Sequence, residues 1–216
     1  AQSKDGYDFD MQLENPAYSP RTWFEGVGNG FDVKTNRFMS GGGWGGCEDP
    51  RVTLVGDSIY LMYVAYNGCT EPRIAMSRID KKDFLDMNWA KWDWPVIISK
   101  PGEVNKNACL LPEKINGKYV IFHRVFPNVL VDFVDDLEFG SHAKWLEGHA
   151  KIEPRYHMWD SRKLGVGATP IKTPYGWLVI YQAVDDRHDS QYKMGAMLLD
   201  LNDPSKVITR SHKPIL

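Results

Sequence analysis

A strand–turn–strand unit occurs three times in this chain, and that repeat constrains the fold more than any other feature. The copies are Pro50–Tyr66, Ala108–Arg124 and Gly167–Gln182. Each joins two runs of β-branched and aromatic residues through a glycine-containing turn. Gly56-Asp57 and Asn116-Gly117 are the residue pairs that two-residue hairpin loops favour. The turn glycines Gly56, Gly117 and Gly176 lie 61 and 59 residues apart. A second phrase recurs as Ile74–Asp80 and Gly195–Asp200, an Ala-Met strand leading towards Pro-Val-Ile-Ile or Pro-Ile-Leu. The opening Ala1–Gly6 reads like that strand in a preceding unit.

Self-similar β units at such a period predict an all-β chain, and a β-propeller rather than a sandwich. At about 60 residues per unit, 216 residues supply about 3.6 blades, whereas propellers close with about four to eight. A compact four-bladed ring and a piece of a larger propeller both fit, and the arithmetic favours the piece. Residues 1–216 are read as one such domain, whose exposed blade edges favour association into a homo-oligomer. Asp80–Asn88 is expected to form one helical turn, and Gly41–Gly46 a loop.

Composition narrows the function classes. The 26 Lys and Arg nearly cancel the 28 Asp and Glu, which gives no basic field for a nucleic-acid partner. With 43% apolar and 25% charged residues the chain is not a disordered tail. Eight Trp, ten Tyr and nine Phe beside 19 Gly and 13 Pro fit a loop-rich β protein, and Trp and Tyr also wall sugar sites. Cys47, Cys69 and Cys109 form no Cys-x-x-Cys pair and are expected to be buried thiols in a reducing compartment. The six His are dispersed without zinc-ligand spacing, so no metal is expected. No apolar run reaches the ~20 residues of a membrane span, and the first residues lack a secretory pattern, which leans towards the cytoplasm.

The sharpest local motif is Gly45-Gly46-Cys47-Glu48-Asp49-Pro50-Arg51, at the entrance to the first hairpin. A carboxyl group there fits a general acid; it equally fits a turn cap paired with Arg51. Arg73, Lys106, His123 and Arg124 recur at comparable places in the units. If the units converge on one axis, these cations meet near Asp49 and suit a phosphate or a sugar carboxylate. Trp159 and Asp160 fit a pyranose face and its hydroxyls, or simply the packing between blades. Tyr181, Asp185 and Tyr192 carry the same ambiguity.

Three segments, Gly46–Thr53, Lys106–Tyr119 and Lys163–Leu178, resemble glycoside hydrolase family 130, as do Tyr192–Ile208 and the closing Pro214-Ile215-Leu216. The resemblance implies a five-bladed propeller that acts on β-mannosides. Most members are inverting phosphorylases that use inorganic phosphate and yield α-mannose 1-phosphate; a minority are hydrolases. It makes Asp49 the general acid, its proton reaching the glycosidic oxygen through a sugar hydroxyl. Arg73, Lys106, His123 and Arg124 become candidates for the phosphate cradle. Glu48, Asn107, Trp159, Asp160, Tyr181 and Asp185 become candidates for binding the sugar. Phosphate is then a co-substrate, and no cofactor or metal is implied. One departure is Tyr181-Gln182 where the family commonly has Tyr-His. An inverting hydrolase would need a second carboxylate as base, and Glu147, Glu153 and Asp185 are available. A carbohydrate-binding propeller without catalysis is the reading from another class.

Overall fold

A computed structural model of the chain describes residues 2–11, 14–27, 45–140, 144–187 and 191–216. The described structure is all-β apart from single helical turns such as Lys81–Leu85. Strands β1 (Gln2–Ser3) and β2 (Phe9–Met11) form a small antiparallel pair. The first large sheet holds β3 (Gly46–Val55), β4 (Ser58–Tyr66), β5 (Arg73–Asp80) and β6 (Val96–Ile97) in chain order. The second holds β7 (Asn105–Leu110), β8 (Tyr119–Val125), β9 (Asn128–Val134) and β10 (Ala150–Ile152), again in chain order. The third holds β11 (Lys163–Val166), β12 (Ile171–Thr173), β13 (Gly176–Val184), β14 (Lys193–Leu199) and β15 (Val207–Arg210), with β11 and β12 both paired to β13. Each is an antiparallel meander built on one of the repeated units, a propeller-like architecture.

Hairpin chemistry fixes the registers. Val55 pairs with Ser58 around Gly56-Asp57, and Ile115 with Lys118 around Asn116-Gly117. Gly56, Asn116 and Gly117 all have positive φ, which such tight loops demand. In the third unit the loop is Pro174-Tyr175 instead, since Thr173 already pairs with Gly176. Gly176 therefore opens the strand rather than turning the chain. There a side chain would strike the Leu199 carbonyl.

Burial follows from the stacking of sheets. Met62, Val64, Ile74 and Met76 of the first sheet pack on Leu110, Ile121 and Val134 of the second. Cys109, Phe122 and Val131 on the other face of the second sheet share a core with Leu164, Val179, Tyr181 and Met197 of the third. Each central strand lies between two packed layers, which is why Ile59–Tyr66 reads as a continuous apolar run. The outer face of the first sheet is covered by Tyr18 and Phe24 from the segment before it. Buried Glu25 fastens that segment, accepting from the Tyr18 hydroxyl at 3.0 Å and the Cys47 thiol at 3.3 Å.

The first strands of all three sheets converge. Arg51 Nε donates to the Gly167 carbonyl at 3.0 Å, and Thr53 Oγ1 to the Leu110 carbonyl at 3.1 Å. Thr53 also meets the Thr169 hydroxyl at 3.2 Å. Only Cys109 is fully buried among the three thiols; Cys69 is exposed and Cys47 half-buried, which corrects the expectation for those two. Of the expected glycine loop, 41–44 lie outside the described residues, and Gly46 already belongs to β3.

Candidate functional site

The site is made where the converging strands break. In β3, Glu48 pairs with Val64 but Arg51 with Met62, so one extra residue bulges out. In β7, Lys106 pairs with Arg124 but Cys109 with Phe122, a bulge at the equivalent place. Asp49 and Asn107 occupy these bulges with φ of 50° and 55°. Asp and Asn tolerate the left-handed region better than other side chains, and a bulge re-aims the side chain it carries. Arg51 braces the first bulge: its Nη1 donates to the Asp49 carbonyl at 2.8 Å, and its Nη2 to Val166 at 3.3 Å. It thus holds the backbone of Asp49 and leaves the carboxylate, which is exposed, for other work.

Around Asp49 the structure gathers cations. Lys106 lies 3.6 Å from Glu48, one residue before the acid. Arg124, directly across from Lys106, feels the charges of Asp49 and Arg51 and bonds to the Tyr192 hydroxyl. Burial lowers the proton affinity of its guanidinium, partly offset by Tyr192 and Asp49. Lys163 Nζ donates to the same Tyr192 hydroxyl at 2.7 Å. Burial alone pushes that phenol up, yet the Lys163 bond and the charges of Lys163, Arg124 and Lys106 hold it below the usual tyrosine range. Lys106, Arg124 and Lys163, the acids Asp49 and Glu48, and a polarised phenol thus share one end of the converging strands. Asn107 is 1% exposed, and its Oδ1 is buried without a hydrogen-bond donor. Gly165 gives it room: a Cβ there would lie 2.7 Å from that oxygen and 3.3 Å from Gln182 Nε2. Such an arrangement can hold a multiply charged anion beside a proton donor, with an amide oxygen left to accept from a ligand hydroxyl.

Of the residues singled out in the sequence, Asp49, Glu48, Lys106, Asn107 and Arg124 are brought together here. The others are not. Arg73 donates to the Ser99 carbonyl and lies over Trp145. His123, next to Arg124 in β8, points to the opposite face, because alternate residues of a strand do. Its Nε2 donates to Asp132 at 2.8 Å, which leaves Nδ1 to accept from the Asn105 amide at 2.8 Å. Asp132 also accepts from His149 Nδ1 at 2.6 Å and from the Gly148 amide. Burial would raise its pKa, but His123 and these bonds draw it down to about 2. This network clasps the approach to β10.

The Trp159 group is likewise structural. Trp159 is 7% exposed and stacks on Tyr181 at 5.4 Å, with no face open to a sugar. Asp160 is fully buried, accepts Arg155 Nε at 3.0 Å through both oxygens, and accepts the Tyr181 hydroxyl at 2.8 Å. Asp185 is held by Lys193 Nζ at 2.5 Å and the Arg187 amide at 2.8 Å, which shapes the turn after β13. Lys163, conversely, was not singled out from the sequence, and Tyr192 was read there as either a sugar contact or packing. A signal existed: Lys163 follows Lys106 by 57 residues, close to the repeat period.

Among the described residues no group of three or more His, Cys, Asp or Glu could hold a metal, and no helix is long and apolar enough to cross a membrane. The other carboxylates proposed as bases stand apart. Glu147 pairs with Lys100, and Glu153 with Lys151 at 2.6 Å, on the outer edge of the second sheet. From β7 to β10 is three strand spacings, about 14 Å.

The model of a family described as beta-1,4-mannooligosaccharide phosphorylase matches residues 31–216. A 1,2-beta-oligomannan phosphorylase of Thermoanaerobacter sp. (strain X514) is 37% identical over 216 residues, 100% of this chain and 62% of that protein. A beta-1,2-mannobiose phosphorylase of the same organism is 38% identical over 180 residues, 79% of this chain and 52% of that one. The solved beta-1,2-mannobiose phosphorylase from Listeria innocua, in complex with beta-1,2-mannobiose, superposes with a TM-score of 0.74 at 29% identity. The alignment covers 99% of this chain and 52% of that structure. The chain spans about half to three-fifths of the length of these relatives. With a match that takes in the Asp49 bulge and runs on through all three sheets, the chain belongs to glycoside hydrolase family 130.

Proposed function

We propose that these residues form part of an inverting phosphorylase that cleaves β-mannosides with inorganic phosphate and releases α-mannose 1-phosphate. Asp49 supplies the proton that the glycosidic oxygen takes up as its bond to C1 breaks. A phosphate oxygen attacks C1 from the opposite face, so the β linkage becomes an α phosphate ester. Lys106, Arg124 and Lys163 neutralise the dianion and orient it, and the Tyr192 hydroxyl bridges two of them. Asn107 Oδ1 and Glu48 accept from sugar hydroxyls.

The observation that carries this reading is the cluster of Lys106, Arg124 and Lys163 beside Asp49, in which the neighbouring carboxylate, Glu48, lies 3.6 Å from Lys106. A phosphate nucleophile needs cations there. A water nucleophile needs a second carboxylate, about 6.5–9.5 Å from the acid. Glu147 and Glu153 lie on an outer edge, and Asp185 is engaged by Lys193. The finer architecture proposed is a five-bladed propeller. The partly exposed apolar residues Leu178, Ile180, Met194 and Leu198 on the third sheet support it, since a further blade would pack on them.

The test is a product assay on β-linked mannobiose, with and without phosphate, using the full natural chain that carries these residues. Mannose 1-phosphate is expected only with phosphate present, and Asp49→Asn is expected to lose at least about a hundredfold in kcat. Free mannose formed at equal rate without phosphate would overturn the reading.

A further inference from the structure

A recess lies at the seam between the first two sheets and shares no residue with the Asp49 cluster. Phe139, buried in the core between those sheets, closes its floor, and its volume is about 220 Å³. Sites for drug-sized ligands run to about 300–1,000 Å³, so this one is on the scale of a single sugar ring. Tyr60 and Arg78, paired across β4 and β5, form one wall. Asp93 and Trp94 come from the connection before β6, and Glu138 from the segment after β9. Tyr60 also pairs with Thr53, towards the Gly56-Asp57 end of β3, and Arg78 lies two strand spacings, about 10 Å, out from that strand.

The exposed ring is the informative feature. Trp94 is 72% exposed, yet its backbone is fixed on both sides. The Asp93 amide donates to the Arg78 carbonyl at 2.7 Å, and the Asp93 carbonyl accepts from Ser77 Oγ at 2.8 Å. On the other side, Val96 pairs with Met76. Arg78 is oriented in turn: its Nε donates to Ser58 Oγ at 2.9 Å and its Nη2 to Asp80 at 2.6 Å. Its Nη1 stands 3.5 Å from Asp93 Oδ2. A flat apolar ring is thus held beside a fixed donor and two carboxylate acceptors. Charge narrows what such a place takes: Asp93 and Glu138 repel an anion, and the Arg78 guanidinium repels a cation. A neutral polyol avoids both penalties. Its hydroxyls donate to the carboxylates and accept from Arg78, while its C–H face lies on the indole.

We propose that this recess is a second, non-catalytic sugar site, which takes one neutral pyranose ring against Trp94. The choice of a mannosyl ring as its occupant rests on the phosphorylase reading, but the recess has no part in the chemistry at Asp49. Because β5 holds Arg78 and Asp93 in place, little ordering is needed when a sugar arrives.

The experiment follows the indole N–H signals of the full natural chain by NMR, with isotope-labelled tryptophan. Trp94→Phe identifies the Trp94 signal by its loss. Methyl β-mannoside and inorganic phosphate are titrated separately. The Trp94 signal is expected to move saturably with the sugar and to stay in place with phosphate. The midpoint is expected to rise about three- to tenfold in Asp93→Asn and in Glu138→Gln, as hydrogen bonds to charged acceptors are lost. A Trp94 signal that ignores the sugar, that moves with phosphate, or whose midpoint both variants leave unchanged overturns the site. The same protein is assayed for phosphorolysis of β-mannobiose. A Trp94 signal that moves as expected in a chain that forms no mannose 1-phosphate would keep the site and overturn the phosphorylase reading.

Discussion

Asp160 separates the structural account from a sugar-binding one, and its replacement by Asn makes the difference measurable. The carboxylate is fully buried, and Arg155 reaches it through Nε at 3.0 Å. Tyr181 donates to it at 2.8 Å, and Arg210 Nη1 stands 3.8 Å away. Asp160→Asn leaves two guanidinium groups facing an uncharged amide. Breaking a buried ion pair costs about 3–5 kcal/mol. Arg155 is 26% exposed and can rehydrate in part, so the lower end, about 3 kcal/mol, applies. At about 2–4 °C per kcal/mol for a chain of this size, the melting temperature is expected to fall by about 6–12 °C. The assay is thermal unfolding followed by circular dichroism, with KM for β-mannobiose measured well below the lowered transition. KM is expected to stay within about twofold, because the group faces Trp159 and Tyr181 rather than the Asp49 cluster. A variant that melts within about 2 °C of wild type while its KM rises tenfold would refute the reasoning and return Asp160 to the sugar site.

Two further predictions concern a buried carboxylate and the space beside Asn107. Asp132 is held at about 2 in the folded chain against 3.8 for the free group, so it contributes about 2 kcal/mol that is present above about pH 4 and lost as pH falls through about 2. Urea midpoints at about pH 5.5 and pH 3 are expected to show a shallower acid loss in Asp132→Asn than in wild type; equal slopes would remove Asp132 as the source. Gly165→Ala would place a Cβ 2.7 Å from Asn107 Oδ1 and 3.0 Å from its Cγ, displacing that side chain. Since a misplacement of about 1 Å can cost about a hundredfold, kcat/KM is expected to fall at least tenfold; a lowered melting point with full activity would refute a working role for Asn107.

Much of the fold was legible because the sequence repeats. Gly56-Asp57 and Asn116-Gly117 identify two hairpins without other information, and the spacing to the third unit makes them members of a series. The third turn misled by one element, since Pro174-Tyr175 closes it and Gly176 is required by its neighbour Leu199. The site was legible where a residue's position in the unit mattered, as for Asp49, Lys106 and Arg124. It was not legible where the choice was between two faces of one strand. His123 and Arg124 are adjacent cations, and only pairing through the bulge decides which of them faces the cluster. Trp159, Asp160 and Tyr181 have the residue types of a sugar site, and only their burial against Arg155 and Gly195 shows that they serve packing. Lys163 could have been found by carrying the repeat period on from Lys106.

The repeat also accounts for how one acid comes to stand among cations. The first strands of the first two sheets break at the same place, and each break is filled differently. Asp49 fills the first, and Asn107 fills the second with nearly the same left-handed backbone. In the third, Val166 still pairs with Tyr181, but the next pairing is Ile171 with Leu178, four intervening residues set against two. Gly167, at this wider break, offers only its carbonyl, which Arg51 uses to lock the first bulge in place. One backbone device, used in two of the sheets, therefore presents an acid in one and a neutral amide in the other. The cations follow the same logic, for Lys106 immediately precedes its bulge and Lys163 opens its strand. On the proposed reading, the chemistry depends on which residue stands at each bulge of a repeating scaffold. A change at a bulge position is accordingly expected to alter turnover more than stability, and a change in the buried Asp132 or Asp160 networks to do the reverse.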